Sequence, residues 1–288
     1  MTTISAPAGR LTNPLSTAVL PSTPSVWRTL AQRRLALSAR TPREVLAPLA
    51  TPLLFALVIA PALAKMIPVA GRGGVDYRSF VILGTVGLLI PLTCAFAGIG
   101  VIVDRTSGAR RELLAAPIRR GTVVAGNLTV AVLTGALQIT ALLLAGWARG
   151  AHFDATATGV VWFVAASVLF TVFAYATAEI LANRIPTQEE YIGLTPVVAI
   201  VPWFLAGSLF RITTMPTGLA AFARVLPTTH ALALVRYGLL DRRASALHDI
   251  WGVSGNTTAA FLSLLVLATW AALLTGTALR VFRQSAAS

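Results

Sequence analysis

The sequence predicts an all-α, polytopic membrane protein. It has six transmembrane helices, an N-terminal interfacial helix, a short cytoplasmic helix and a re-entrant outer segment before the last span. Three observations predict this class. Of 288 residues, 56% are hydrophobic and only 11% are charged, where a soluble domain carries roughly 25%. Six apolar runs are each long enough to cross a hydrocarbon core about 30 Å thick. The arginines collect at the ends of those runs, so the formal net charge of +13 follows the positive-inside rule and not a nucleic-acid surface.

Residues 1–24 are rich in Thr, Ser, Pro and Ala without apolar periodicity, which predicts a disordered cytoplasmic tail. Residues 25–43 open with SVWRTLAQRRLALSAR. Val26, Trp27, Leu30, Ala31 and Leu37 share one helical arc, Arg28, Arg33 and Arg40 lie off it, and Arg34 interrupts it. This pattern predicts an amphipathic helix on the inner membrane surface with Trp27 at headgroup level. Residues 44–283 form the six-span domain, with spans near 45–67, 79–103, 121–147, 158–182, 191–210 and 257–280. Residues 284–288 are the cytoplasmic C-terminus. No signal-peptide pattern precedes the first run, which begins near Val45. The single cysteine, Cys94, lies inside an apolar run and has no intrachain partner.

Arginine placement sets the orientation. With both termini in the cytoplasm, the inner segments hold 14 of the 23 basic residues and the outer segments 9. Five of those nine fall in the long 211–256 segment, where the rule counts them less. The chain is therefore expected in the cell inner or plasma membrane, multi-pass, with both termini cytoplasmic.

That orientation puts DRTSGARRELLAAPIRR, residues 104–120, in the cytoplasm between spans two and three. It holds five arginines, Asp104 and Glu112. Charged residues at a helix centre cost roughly 3 kcal/mol each, so the stretch cannot lie at membrane depth. A short helix is expected from Ser107 to Ala116, capped by Ser107 or Asp104 and stopped by Pro117. Leu113 and Leu114 would give it an apolar edge beside Arg110, Arg111 and Glu112, suited to docking a soluble partner. The plainer alternative is an arginine-rich inner loop without a partner.

The stretch resembles the cytoplasmic segment of ABC-2 type transporter permeases, a family that includes daunorubicin-resistance and nodulation-export permeases. The matching residues are Asp104, Arg105, Gly108, Glu112, Leu113 and Pro117, followed by Arg119 and Arg120. The family often has Glu where this chain has Asp104. A second matching region is residues 202–240, where Gly207, Phe210, Met215 and Pro216 are followed by Leu226, Pro227, Thr228, His230 and Arg236.

The resemblance implies a coupling helix at about 104–117, with Leu114 on its apolar edge, seated on a separate ATP-binding subunit. It implies an outer or re-entrant segment at about 211–256. Pro216 and Pro227 break helices there, which membrane depth tolerates only where the freed backbone is buried in protein or meets water. Six spans are half a permease in this family, which implies a homodimer or a heterodimer with a second six-span permease, surrounded by membrane lipid.

A P-loop needs G-x-x-x-x-G-K-[ST] so that its lysine reaches the phosphates. The one lysine, Lys65, is followed by Met66, and GRGG at 71–74 reads as a turn. The chain is thus expected to bind no cofactor and to catalyse nothing itself; ATP and Mg belong to the partner. His152, His230 and His248 lie far apart and indicate no metal site. Asn127 and Gln138 are expected to bond between helices. Glu179, near the inner end of span four, is expected to snorkel toward the interface, and Glu189 and Glu190 to be solvated.

The reading is the permease subunit of an ATP-driven exporter of an amphipathic drug, lipid or glycan. An ion-coupled secondary transporter is disfavoured, because the spans lack central charges and internal repeats. A non-transporting scaffold of an ABC system would keep the docking helix.

Overall fold

A computed structural model describes residues 23–66, 76–115, 120–240 and 243–285. Among them every regular element is helical. Residues 1–22 of the expected tail, the 71–74 turn and Pro117 lie outside the described residues, and Thr23 and Pro24 open the first helix.

The first helix, α1 (Thr23–Arg40), packs along α6 (Arg120–Ala148), where the Trp27 indole donates to Thr129 Oγ1 at 3.1 Å. Next comes α2 (Pro42–Leu54), which passes through a π turn at Phe55–Ile59 into α3 (Ala60–Met66). The N–H of Ala60 reaches back five residues to Phe55. The following Pro61 has no N–H to restore the tighter register.

The axis of the bundle is α4 (Tyr77–Thr106). Every residue from Val81 to Ile90 is buried, as a helix apolar all round requires. It packs on α2, α6, α7 (Ala157–Arg184), α8 (Gln188–Leu205) and α10 (Pro227–Leu239). The last helix, α12 (Asn256–Ser285), lies against α7 and α10. Between α4 and α6 sits the short α5 (Ala109–Ala115). Chain direction places α5, the end of α7 and the end of α12 together at one end of the bundle.

Among the described residues, five helical stretches are long and apolar enough to cross a membrane: Leu46–Lys65, Tyr77–Thr106, Arg120–Ala148, Ala157–Arg184 and Asn256–Gln284. A sixth results if α9 (Thr217–Val225) and α10, bent 80° apart, count as one broken span. The expected fifth span, 191–210, differs in its bounds. Its helix α8 has 18 residues and ends at Leu205, about 27 Å at 1.5 Å per residue. Gln188, Glu189 and Glu190 fill its first turn, and Ala206 and the left-handed Gly207 (φ +73°) turn the chain out of the helix.

The long segment before α12 is helical too. A single 3₁₀ turn (Ile212–Thr214), α9, α10 and α11 (Ser245–Trp251) fold over the end opposite α5. α10 is enclosed, with all but Tyr237 of its residues buried.

Candidate functional site

At the α5 end, α4 stops at Thr106 and the chain bends at Ser107 and Gly108. Gly108 has φ +81°, a left-handed conformation that a side chain would strain. The short helix therefore starts at Ala109, later than the expected Ser107. Asp104 is inside α4 and does not cap it.

α5 lies with one side against the bundle. The Arg110 guanidinium, 7% exposed, donates to Asn183 Oδ1 at 2.7 Å and to the Phe282 carbonyl at 3.1 Å. It also sits 4.3 Å above the Phe282 ring. Leu113, one turn on, faces a small recess shared with Val123, Asn127 and Glu179. The expected outward Leu113 edge is thus turned inward, because i and i+3 share a helix face and Arg110 takes that face to the bundle. Glu112 is exposed on the other side. The Leu114 and Arg111 side chains lie outside what is described.

The flanking residues fix α4 to its neighbours. Arg105 donates to the carbonyls of Ala182 (3.0 Å), Ile185 (2.7 Å) and Pro186 (2.8 Å). These carbonyls lie in the last turn of α7 and just beyond it, where acceptors lack intrahelical partners. Asp104 lies 3.8 Å from Arg33 of α1.

Glu179 does not snorkel. It is 1% exposed and accepts from the Tyr175 hydroxyl at 2.8 Å and from Asn183 Nδ2 at 3.0 Å. Tyr175, Glu179 and Asn183 recur every four residues and form one stripe on α7. Asn127 bonds Tyr175, and Gln138 bonds the Thr93 hydroxyl of α4, both between helices. Glu189 and Glu190 are exposed in the first turn of α8, where carboxylates suit the helix dipole.

Arg34, which broke the apolar arc of α1, is 8% exposed and donates to the Ala97 carbonyl at 3.3 Å. A Cβ at Gly100 would fall 1.7 Å from its Nη2, so glycine at that position admits the guanidinium. From there Arg34 is within electrostatic reach of Glu179.

At the other end, Arg236 is 3% exposed and donates to the carbonyls of Gly207 (2.8 Å), Ser208 (2.6 Å) and Phe80 (3.3 Å). Its guanidinium lies 3.5 Å over the Phe80 ring. His230 pairs with Ser263 Oγ (3.1 Å) and the Arg224 carbonyl (3.0 Å) and lies beside Trp251. Pro216 precedes α9, and Pro227 opens α10, where its missing N–H is harmless. Arg211 makes a two-point pair with Asp249 at 2.6 and 2.8 Å.

A cavity of about 310 Å³ opens between α4, α7, α8 and the α9–α10 corner. Pro91, Phe173, Tyr191, Pro202, Pro227 and Thr228 are among its walls. The lining holds no charged side chain. Of the predicted outer residues, Pro227 and Thr228 line the cavity; Gly207, His230 and Arg236 hold the segment in place, and Pro216 is exposed.

Sequence reasoning missed Arg110 and Arg34 as inward anchors. The signals were present: an arginine inside an otherwise apolar arc, and the four-residue stripe on α7.

A family model described as ABC-2 type transporter matches residues 25–240. Nodulation protein J of Sinorhizobium fredii is 26% identical over 238 residues, spanning 80% of this chain and 88% of the relative. Nodulation protein J of Bradyrhizobium diazoefficiens is 27% identical over 233 residues, spanning 78% and 84%. Nodulation protein J of Rhizobium leguminosarum bv. trifolii is 26% identical over 218 residues, spanning 74% and 79%.

Proposed function

The chain belongs to the ABC-2 type transporter family, and from that premise we propose that it is the permease subunit of an ATP-driven exporter. It is a multi-pass membrane protein and a membrane-transport component. In this reading both termini and α5 face the cytoplasm, α5 is the coupling helix, and a separate ATP-binding subunit hydrolyses ATP with Mg. Two six-span permeases, identical or different, make the working unit. The cargo is an amphipathic drug, lipid or glycan-type molecule moved outward.

The observation that carries this reading is the seating of α5. A seven-residue helix is too short to be stable alone. Arg110 holds it to α7 and α12, Arg105 ties the end of α4 to the end of α7, and Glu112 remains outward. A partner pushing on α5 would move three spans together. A partner transmits a change only if it binds two conformations unequally, and a rigid contact passes such a difference on. The uncharged cavity between α4, α7, α8 and the α9–α10 corner supports a cargo with an apolar portion.

Two experiments test the reading. Glu112→Arg should leave the chain inserted and folded, release a co-purifying ATP-binding subunit and abolish ATP-dependent export. Unchanged co-purification and export would refute the coupling role of α5. Ser107→Cys, read with a membrane-impermeant thiol reagent in intact cells, should stay unlabelled, and labelling would invert the topology. The ion-coupled alternative finds no support in the cavity, whose one ionisable side chain, Tyr191, donates its hydroxyl to the Ala95 carbonyl.

A further inference from the structure

The cavity between α4, α7, α8 and the α9–α10 corner has one polar point that the fold leaves unused. Its other hydroxyls are spent on the backbone. Thr177 donates to the Phe173 carbonyl, Thr195 to the Tyr191 carbonyl and Tyr191 to the Ala95 carbonyl, each at 3.0 Å. Thr228 also lines the cavity and is 4% exposed. Among the described residues its hydroxyl has no hydrogen-bond partner. Buried hydroxyls are as a rule bonded, so this one is placed to meet a group outside the chain. Thr228 is the second residue of α10, which Pro227 opens and no side chain caps. The first N–H groups of a helix lack intrahelical acceptors and form the positive end of its dipole. Thr229 gives its N–H to the Leu226 carbonyl, while that of Thr228 has no acceptor among the described residues. The 80° bend between α9 and α10 brings this helix end to the cavity wall.

We propose that Thr228 at the start of α10 is the polar subsite of this cavity, and that the ligand is an uncharged amphiphile. An acceptor oxygen, such as an ester or amide carbonyl, takes the Thr228 hydroxyl, and an apolar body lies along Phe173, Val198 and Pro202. The positive helix end disfavours a cation, and no acidic side chain lines the cavity to offset it. No basic side chain lines it either, so a full anion would be buried without a counter-charge. Water is a poor occupant, because the walls are mostly apolar and offer it few partners. A bilayer phospholipid shares the ester and the apolar chain, but it brings a charged phosphate that these walls do not meet. The ligand is therefore assigned to cargo, which narrows the cargo class from drugs, lipids and glycans to uncharged carbonyl-bearing amphiphiles. That the occupant is cargo rests on the permease reading above; the subsite itself does not.

The test is photolabelling of the full chain in nanodiscs of ether-linked lipid, which has no ester carbonyl. Four probes share one diazirine-bearing dodecyl chain and end in a methyl ester, a sulfonate, a trimethylammonium or no head group. The ester probe should label 173–181 and 195–202 at about one-fifth of the concentration that the headless probe needs, the gain expected of one neutral hydrogen bond. The sulfonate and ammonium probes should trail it. Thr228→Val should remove the advantage, and Thr228→Ser should keep it. Neither change should lower Tm, because the hydroxyl has no partner within the chain. Equal labelling by all four probes, a charged probe ahead of the ester, or an ester advantage that survives Thr228→Val overturns the subsite.

Repeating the ester probe in ester-linked lipid separates the two sources of the same chemistry. Labelling that persists there supports a cargo site, and suppression by the bilayer lipid overturns the assignment to cargo. The comparison of probes on the wild-type chain needs no variant and no ATP-binding subunit. A chain that prefers the ester probe but shows no ATP-dependent export would refute the permease reading alone. A chain that exports while its labelling ignores the head group would refute the subsite alone.

Discussion

Both ends of the bundle bury an arginine, and they satisfy it differently. Arg236 donates to three backbone carbonyls and stacks on Phe80. Arg110 also lies over a ring, that of Phe282, but it reaches one backbone carbonyl only and gives its other hydrogen bond to the Asn183 side chain of α7. A carbonyl cannot move without moving its chain, so Arg236 fixes one geometry. Side-chain partners can turn, so the α5 end has groups that can be exchanged during motion. The end opposite α5 thus reads as a clamp, and the α5 end as a joint.

Removing Arg236 should give the largest stability effect. Arg236→Ala leaves the Gly207, Ser208 and Phe80 carbonyls without the guanidinium. At about 1–3 kcal/mol for each unsatisfied buried group, the total loss is on the order of 4 kcal/mol. Arg236→Lys should rescue little, because an ammonium lacks the planar fork. Thermal unfolding in detergent checks both variants. A lysine variant as stable as the parent would show that charge alone suffices and would dissolve the contrast with Arg110.

Gly207→Ala comes next. The residue sits at φ +73°, and a Cβ would meet Ile212 Cγ2 at 2.8 Å. The left-handed conformation costs about 1–2 kcal/mol with a side chain, and the crowding adds to it. The change should also speed exchange near 206–212 before global unfolding. An unaffected Tm would mean that the turn re-forms without strain and that the clamp is softer than its geometry suggests.

The spans and the charged stretch were legible in the sequence because each is local. An apolar run of twenty residues states its own environment, and seven charges in seventeen positions exclude the bilayer core. Burial of Arg110 was not legible, since it depends on Asn183 and Phe282, 73 and 172 positions away. Glu179 looked close enough to an interface to escape it, yet the neighbouring helices and the α5 helix close over it. The α8 boundary was missed for a different reason. Apolar residues continue past Leu205, but Gly207 allows a turn that hydropathy does not register.

A pH effect is expected at the clamp end. Asp76 caps α4 there, accepting from the N–H groups of Arg78 and Ser79 and from the Ser79 hydroxyl, the last at 2.6 Å. Partial burial pushes this carboxyl up, but the Ser79 and Arg78 hydrogen bonds and the Arg78 charge together bring it below its usual value. A depressed carboxyl contributes stability above its unfolded pKa of about 3.9, and the contribution is lost as pH falls through the lower folded value. Asp76→Ala should therefore cost about 1 kcal/mol at neutral pH and much less at pH values below the folded pKa. A cost independent of pH would assign the cap to shape and not to charge.

The smallest effect is expected at Asp104, at the joint end of the same helix. Its contact with Arg33 is long, 3.8 Å, and the side chains are 19% and 40% exposed. Pairs of that kind are worth about 0–1 kcal/mol. Asp104→Asn should therefore shift Tm by little more than measurement error, although Asp76 and Asp104 are both aspartates at the ends of α4. A loss at Asp104 as large as at Asp76 would mean that the joint end is as rigid as the clamp end. If export then fell in Asp104→Asn while Tm held, the residue would be acting on motion or on the partner surface, which is where a joint, unlike a clamp, exposes its chemistry.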